Sequence, residues 1–447
     1  MWLKAFETMK ESEIIKNIKS RLGIEQLNDM QQRMCRCQSQ SVLLLSPTGS
    51  GKTVAFTIPL LKSLRQPAGR VQAVVIAPSR ELVQQIASVV RAVAIGYKTV
   101  AFYGGHSMAD ETRSLSVTPD IVIATPGRLL DHINRNNIDL SAVGSLVLDE
   151  YDKSLELGFH DEMRRVVRAM GQFRLVVLTS ATRLDEMPSF LPLRKPETVD
   201  FTAKDDNPRE RMDIVEVESA VRDKIDIAID LLRSLPDGKV IVFANHRESV
   251  DRIYQLMCKA HLPVGMYHGG LEQWDREKAI DMLNNGSTPI LVSTDLGSRG
   301  LDIDAVQAVV HYHMPPSAES WTHRNGRTAR MGAHGTVYVI TAEGENIPDY
   351  VDCDRKYVPT GQNENPIKAH WATLHFNAGK KEKISRGDIV GYLVNKGNVD
   401  GSQIGKIVVK DHAALVAVPH DMAREIVKAV APHRIKNTRV RVTIVSE

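Results

Sequence analysis

Ser41-Val-Leu-Leu-Leu45 runs without a break into Ser46-Pro-Thr-Gly-Ser-Gly-Lys52-Thr53, an apolar run followed by a glycine-rich turn that ends in Lys-Thr. The run reads as a strand and the residues after Thr53 as a helix. Glycines let the turn's backbone N–H groups face phosphate oxygens, and the helix N-terminus adds positive potential. In such a loop Lys52 reaches the β- and γ-phosphates and the Thr53 hydroxyl ligates Mg²⁺. A glycine turn with an incidental lysine would account for neither the strand before it nor the helix after it.

Working outward, short β-branched runs recur with turn or helix signals between them, the pattern of a parallel sheet. Strands are expected at 41–45, 71–77, 99–103, 120–124, 145–148 and 175–179. After the polar, proline-ended stretch Phe201–Pro208, a second series is expected at 212–218, 239–244, 264–267, 288–293, 306–311 and 335–340. Another polar stretch, about Glu343 to Pro366, precedes a different alternation: strand 371–376, helix 385–394, strands 404–409 and 413–418, helix 420–430 and strand 438–445. That βαββαβ order suits a small split-βαβ sandwich. The 447 residues are also about three domains' worth of chain.

Composition excludes several classes. An apolar content of 43% rules out wholesale disorder, and apolar stretches such as Val71–Ala77 fall far short of the ~18 residues of a membrane helix. No membrane partner and no signal peptide are expected, and four cysteines point to a reducing, cytoplasmic setting. Cys35 and Cys37 have no second pair to make a zinc site. The net charge of +3 conceals an asymmetry: from Lys368 onward there are 14 Lys/Arg against 7 Asp/Glu, so a +7 tail follows a body of −4. A basic module on an acidic body suits a polyanion-binding tail, and equally a solubilising one.

A phosphate-binding loop needs an acid at the end of a neighbouring strand to hold the metal. Ser145-Leu-Val-Leu148 leads directly into Asp149-Glu150-Tyr151-Asp152. Asp149 is placed to sit on Mg²⁺ and Glu150 to orient and deprotonate the attacking water.

Further short motifs follow in order. They are Pro78-Ser-Arg-Glu-Leu82, Gly104-Gly105, Thr125-Pro-Gly-Arg128, Ser180-Ala-Thr182, Phe243-Ala-Asn245, Gln273 to Arg276, Thr294 to Asp302, and His323-Arg-Asn-Gly-Arg327-Thr-Ala-Arg330. Singly each is weak. Together, with those of the first domain following the C-terminal ends of its predicted strands, they resemble the motif series of the DEAD-box RNA helicases, superfamily 2 ATPases built from two RecA-like domains. The departures are Tyr151 for alanine, Ser46 and Ser79 for Ala and Thr, Gly297 for alanine, Ala329 for glycine and His246 for threonine. The glutamine motif keeps Gln31 but lacks the usual Thr-Pro.

The resemblance implies an α/β fold with RecA-like domain 1 over 1–200, a linker at 201–208, RecA-like domain 2 over 209–345 and a linker at 346–367. It implies an RNA-stimulated ATPase that separates or remodels RNA duplexes, with ATP and Mg²⁺ as cofactors. Thr48, Gly49, Ser50, Gly51, Lys52 and Thr53 would cradle the phosphates, Phe6 stack on adenine and Gln31 read its edge. Asp302 would join the nucleotide contacts, and Arg327 and Arg330 would act on the γ-phosphate. Asp152, Ser180, Thr182 and His323 would couple hydrolysis to movement. Pro78, Arg80, Gly105, Thr125, Arg128, Gln273, Arg276 and Thr294 would contact RNA. The catalytic set is Lys52, Asp149, Glu150, Arg327 and Arg330, with Thr53 and Asp149 as metal ligands.

Trp371-Ala-Thr-Leu-His-Phe376, Gly387-Asp-Ile-Val-Gly391 and Ile404-Gly-Lys-Ile407 look like the DbpA-type RNA-binding domain, an RRM variant, over 368–447. The family's attachment to large-subunit ribosomal RNA makes ribosomal RNA the expected partner and ribosome assembly the setting, for a monomeric enzyme. An ATP-regulated RNA clamp or chaperone with little unwinding is the alternative. An ordinary RRM stacks bases on aromatics of its central strands, and Ala413–Val418 has none, so binding is expected to lean on Lys/Arg and another surface.

Overall fold

The computed structural model describes residues 9–47, 49–105, 107–181, 187, 189–191, 193, 195–202, 208–298, 303, 306–329 and 333–445. The expected positions Phe6, Thr48, Thr182, Asp302 and Arg330 lie outside the described residues. Two compact units result, one built on a first sheet and ending at residue 207, the other beginning at Pro208 and holding two further sheets.

In the first unit β1 (Ser41–Leu45), β2 (Ala73–Ile76), β3 (Thr99–Phe102), β4 (Ile121–Ala124), β5 (Ser145–Leu148), β6 (Leu175–Ser180) and β7 (Glu197–Asp200) form a parallel sheet in the order β3-β4-β2-β5-β6-β1-β7. β2, β4 and β5 are buried at every residue. Their side chains alternate between two cores: Ala73, Val75, Ile121 and Val147 pack on one face, and Val74, Ile76, Val122 and Leu148 on the other. A strand covered on both faces has no polar side to show, which is why these runs read as unbroken apolar stretches.

The second unit repeats the plan with β8 (Met212–Ser219), β9 (Val240–Phe243), β10 (Val264–Tyr267), β11 (Ile290–Ser293), β12 (Ala308–His311), β13 (Gly335–Ala342) and β14 (Arg355–Lys356), ordered β10-β11-β9-β12-β13-β8-β14. It continues into β15 (Trp371–Phe376), β16 (Ile407–Val409), β17 (Ala414–Pro419) and β18 (Val442–Ile444), an antiparallel sheet ordered β16-β17-β15-β18. Helices Arg386–Gly397 and Ala423–Val430 pack on one face of it through Leu374, Phe376, Val416, Ile389 and Ile426.

The βαββαβ order of the tail and twelve strands of the two parallel sheets match the expectation from sequence. β7 and β14 do not, and both are edge strands with polar residues. The stretch read as a linker before the tail lies along the second sheet: β14 pairs with β8, and the Thr360 and Gly361 N–H groups donate to Ser234 Oγ at 2.9 and 2.8 Å. Among the described residues no helix is long and apolar enough to cross a membrane.

Candidate active site

β1, β5 and β6 are neighbours, so the phosphate-binding loop, the acids after Leu148 and Ser180 emerge side by side from the C-terminal edge of the first sheet. Open α/β sheets bind ligands along this edge. Gly49 and Gly51 both have positive φ, 80° and 89°, which turns the loop into the helix Lys52–Ser63. Lys52 is buried and its Nζ donates to the Ser46 and Pro47 carbonyls at 2.8 and 3.0 Å. The Ser46 N–H donates to the Ser180 carbonyl at 3.1 Å, which ties the loop to β6.

Gln31 joins the same group through its helix cap. Its N–H donates to Asn28 Oδ1 at 2.9 Å, and its Oε1 accepts from the Asn28 N–H at 3.0 Å. Its Nε2 donates to the Gly51 carbonyl at 3.4 Å, and Asn28 Nδ2 donates to the Ser50 carbonyl at 3.0 Å. A Cβ on Gly51 would meet Gln31 Nε2 at 2.6 Å, so the glycine is required both by its φ and by this approach. Gln31 therefore fastens the loop, and an adenine contact would use its remaining amide hydrogen. Asn28 was missed by sequence reasoning, although Asn followed three residues later by Gln is a capping-box pattern.

Asp149 is 3% exposed, and burial pushes its pKa up against the pull of Thr179 and Lys52. Thr179 Oγ1 donates to Asp149 Oδ1 at 2.5 Å and accepts from the Glu150 N–H at 3.2 Å, so one hydroxyl orients both acids. Glu150 sits at φ 45°, a left-handed conformation uncommon for this residue type. Asp152 accepts from the Ala181 N–H at 3.3 Å, the link between the acidic cluster and the Ser180-Ala-Thr182 element. The residues fit ATP·Mg²⁺: a lysine beside the loop, the Thr53 hydroxyl at a helix start, and a buried carboxylate whose desolvation outweighs the pull of its neighbours.

Tyr151, which replaces alanine, is fully buried in the core on one face of the sheet. Its hydroxyl has no hydrogen-bond partner among the described residues. Tyr151→Phe is expected to stabilise the first unit by about 1 kcal/mol, and Tyr151→Ala to cost about 3–5 kcal/mol through the cavity it leaves. Thermal unfolding of the two variants checks both signs.

The other half of the edge is formed by β2, β4 and β3, whose loops carry Pro78–Arg80, Thr125–Arg128 and Gly104–Gly105. The Arg80 guanidinium lies over Gly104. Arg128 Nε donates to Glu111 Oε2 at 2.7 Å, and His132 Nε2 lies 2.8 Å from the same oxygen. Glu111 is 7% exposed and was not foreseen, because a lone acid on a short helix carries no motif.

In the second unit β10, β11, β9 and β12 are neighbours. Gln273 and Arg276 open the helix Gln273–Asn285, where Gln273 Nε2 donates to Glu277 at 3.1 Å and Arg276 is buried. Thr294 donates its N–H to the Tyr267 carbonyl at 3.2 Å. Gly297, in place of alanine, faces Ser293 Oγ so closely that a Cβ would meet it at 2.1 Å. His323 and Arg327 are both buried, His323 with its Nδ1 3.6 Å from Glu319.

The residue that joins these loops is Arg324, which sequence reasoning passed over for its neighbours. Fully buried, it donates through Nε to Asp295 at 2.5 Å, through one terminal nitrogen to the His313 carbonyl at 2.9 Å, and through the other to Asn245 Oδ1 at 2.7 Å. It also lies over the Phe243 ring.

His311 stacks on Trp321 at 4.6 Å and lies 2.8 Å from Asn325 Oδ1. Burial, with Arg324 adding repulsion, pushes its pKa down to about 3. The unfolded chain binds this proton near pH 6.5 and the folded one does not. Its contribution to stability is therefore full above that pH and lost toward pH 3, by about 1.4 kcal/mol per unit. Urea unfolding at pH 7 and pH 5 is expected to show this loss, and His311→Phe to remove it.

Three family models match the chain in sequence: the DEAD/DEAH box helicase over residues 28–187, the helicase conserved C-terminal domain over 223–332, and the DbpA RNA binding domain over 373–444. The ATP-dependent RNA helicase DbpA of Escherichia coli is 32% identical over 421 residues, covering 91% of each chain. The chain belongs to the DEAD-box ATP-dependent RNA helicases. Among solved structures, Mss116p bound to single-stranded RNA and AMP-PNP matches this helicase with a TM-score of 0.66 at 27% identity, over 78% of this chain and 77% of that one. Dbp5 of S. cerevisiae bound to RNA and ADP BeF3 matches it with a TM-score of 0.64 at 25% identity, over 74% and 87%. Against the family pattern, the helicase's Ala329 sits at φ 51°, the left-handed region that the glycine usual there adopts without strain.

Proposed function

We propose that this helicase uses ATP hydrolysis to separate or remodel short RNA duplexes, and that residues 368–447 direct it to ribosomal RNA. The observation that carries the reading is the division of the first sheet's edge: β1, β5 and β6 bring Lys52, Asp149, Glu150 and Asp152 together, while β2, β3 and β4 hold Arg80, Gly105, Thr125 and Arg128 apart from them. One edge then serves a nucleotide at one end and a second polyanion at the other.

In this reading the N–H groups of Gly49–Thr53 bind the β- and γ-phosphates, and Lys52 moves from the Ser46 and Pro47 carbonyls onto them. Mg²⁺ would be held by Thr53 and Asp149 and would supply charge neutralisation at the phosphates. Glu150 orients the attacking water and takes its proton. Arg327 and Arg330 stabilise the charge that develops on the transferred phosphoryl group. Asp152, bonded to Ala181, passes the change at the γ-phosphate to Ser180 and Thr182. Arg80, Thr125, Arg128, Gln273, Arg276 and Thr294 contact RNA backbone, which positions a strand without reading its sequence.

The targeting claim is tested by crosslinking the full chain and a form lacking 368–447 to cellular RNA. Enrichment of large-subunit ribosomal RNA is expected for the full chain and its loss for the shortened one. Equal recovery from both would remove the tail's role.

A further inference from the structure

We propose that Glu111 is a positioning residue for RNA: its carboxylate sets the Arg128 guanidinium and the Tyr103–Gly105 turn in one arrangement before any strand arrives. The inference deepens the proposed function and rests on reading Arg80, Gly105 and Arg128 as RNA contacts.

Glu111 lies on the helix Met108–Ser114, just past the Gly104-Gly105 turn. Arg128 and His132 sit one turn apart on the helix Pro126–Asn134 and so share a face. Glu111 Oε2 accepts from Arg128 Nε at 2.7 Å and lies 2.8 Å from His132 Nε2. Its Oε1 accepts from the Tyr103 N–H at 3.4 Å. The His132 ring is fully buried, stacks on Phe102 of β3 at 4.2 Å, and has its Nδ1 3.3 Å from Asn137 Nδ2. A ring bounded on both nitrogens and one face has its plane set, and it sets the carboxylate beside it in turn.

The turn itself is held from its other side. Tyr103 Oη accepts from Gln84 Nε2 at 2.7 Å. A Cβ on Gly104 would meet Arg80 Nη2 at 3.1 Å, so the glycine lets that guanidinium lie against the backbone. One carboxylate therefore references the loops after β3 and β4 to each other, and Arg80 packs on the first of them.

A buried carboxylate on a face meant for a polyanion loses its water and repels phosphate unless its charge is matched. Both Glu111 oxygens are matched by N–H donors, and its side chain is 8% exposed against 15% for Arg128, so the cation is the more outward of the two. The nearby Asp131 carboxylate is a weaker hold: it lies 3.8 Å from Arg128 Nη1 and is bonded to Arg135 Nε at 2.7 Å. Fixing Arg128 at Nε sets the plane of the guanidinium, and with it the fork of terminal nitrogens that suits a phosphate. A freely moving arginine would lose its rotamer freedom when RNA binds; here the fold has already ordered it.

The test is a double-mutant cycle in the full chain, with AMP-PNP and Mg²⁺ present and a short oligouridylate as the RNA, followed by fluorescence anisotropy. Losing a hydrogen bond to a charged group is expected to weaken this RNA about tenfold in Arg128→Ala and about tenfold in Glu111→Ala. The double variant should stay within about threefold of the weaker single one, against about a hundredfold loss if the two residues act independently. In ATPase assays with the same RNA, Glu111→Ala should raise the half-saturating RNA concentration about tenfold and leave the rate at saturation within about twofold. If Arg128→Ala weakens RNA while Glu111→Ala binds like the parent, the positioning role is overturned and the RNA reading stands. A fully additive double variant, or a loss in saturated rate alone, overturns it as well. Unchanged binding in Arg128→Ala removes that RNA contact, and the inference with it. Should Glu111→Ala not fold, Glu111→Gln, which keeps the side chain's volume without its charge, takes its place in the cycle, with an expected loss of about threefold.

Discussion

Glu150→Gln is expected to lower the RNA-stimulated turnover of ATP by about 10³-fold while leaving ATP affinity and RNA binding through 368–447 within about twofold. Glutamine keeps the shape and the hydrogen-bonding reach of the side chain but cannot accept the water's proton, and a positioned general base contributes about 10²–10⁴ in rate. The backbone that aims this side chain is unaffected, because Glu150 is held at φ 45° by the bond from its N–H to Thr179 Oγ1. Steady-state ATPase assays with and without RNA, beside nucleotide and RNA titrations, check the separation. A parallel loss of RNA binding would contradict the modular reading of the tail.

Arg324→Leu is expected to destabilise the second unit strongly. It would leave Asp295 and Asn245 without the cation that joins them, and breaking a buried charged network from one side costs about 3–5 kcal/mol. Arg324→Lys should recover only part of this, since a single ammonium cannot replace three directed guanidinium bonds. Urea unfolding followed in the second unit measures both; a loss below about 1 kcal/mol for leucine would mean the loops are held by other contacts.

These two residues also mark how far the sequence could be read. The phosphate-binding loop was legible because its chemistry is local: glycines at required positive φ, a lysine and a threonine, a strand before and a helix after. The acids after β5 were legible for the same reason. Thr179 was not, because a threonine inside an apolar strand gives no sign that its hydroxyl will face Asp149 until β5 and β6 are paired. Arg324 and Glu111 were hidden likewise, their oppositely charged partners Asp295 and Arg128 lying 29 and 17 residues away. The edge strands β7 and β14 escaped because, among the described residues, one side of each pairs with nothing, so neither needs the apolar pattern that marks a buried strand. The tail's architecture was readable from its alternation, and its missing aromatics on β17 pointed away from the sheet face.

The measurement that bears most directly on the central claim is displacement of a short RNA strand from a duplex carrying a single-stranded ribosomal RNA extension. The full chain is expected to release the strand with ATP and not without nucleotide, and Glu150→Gln to abolish turnover on the same substrate. RNA-stimulated ATP hydrolysis at normal rate, with no strand released from any such duplex, would contradict the account and make the protein an ATP-regulated clamp.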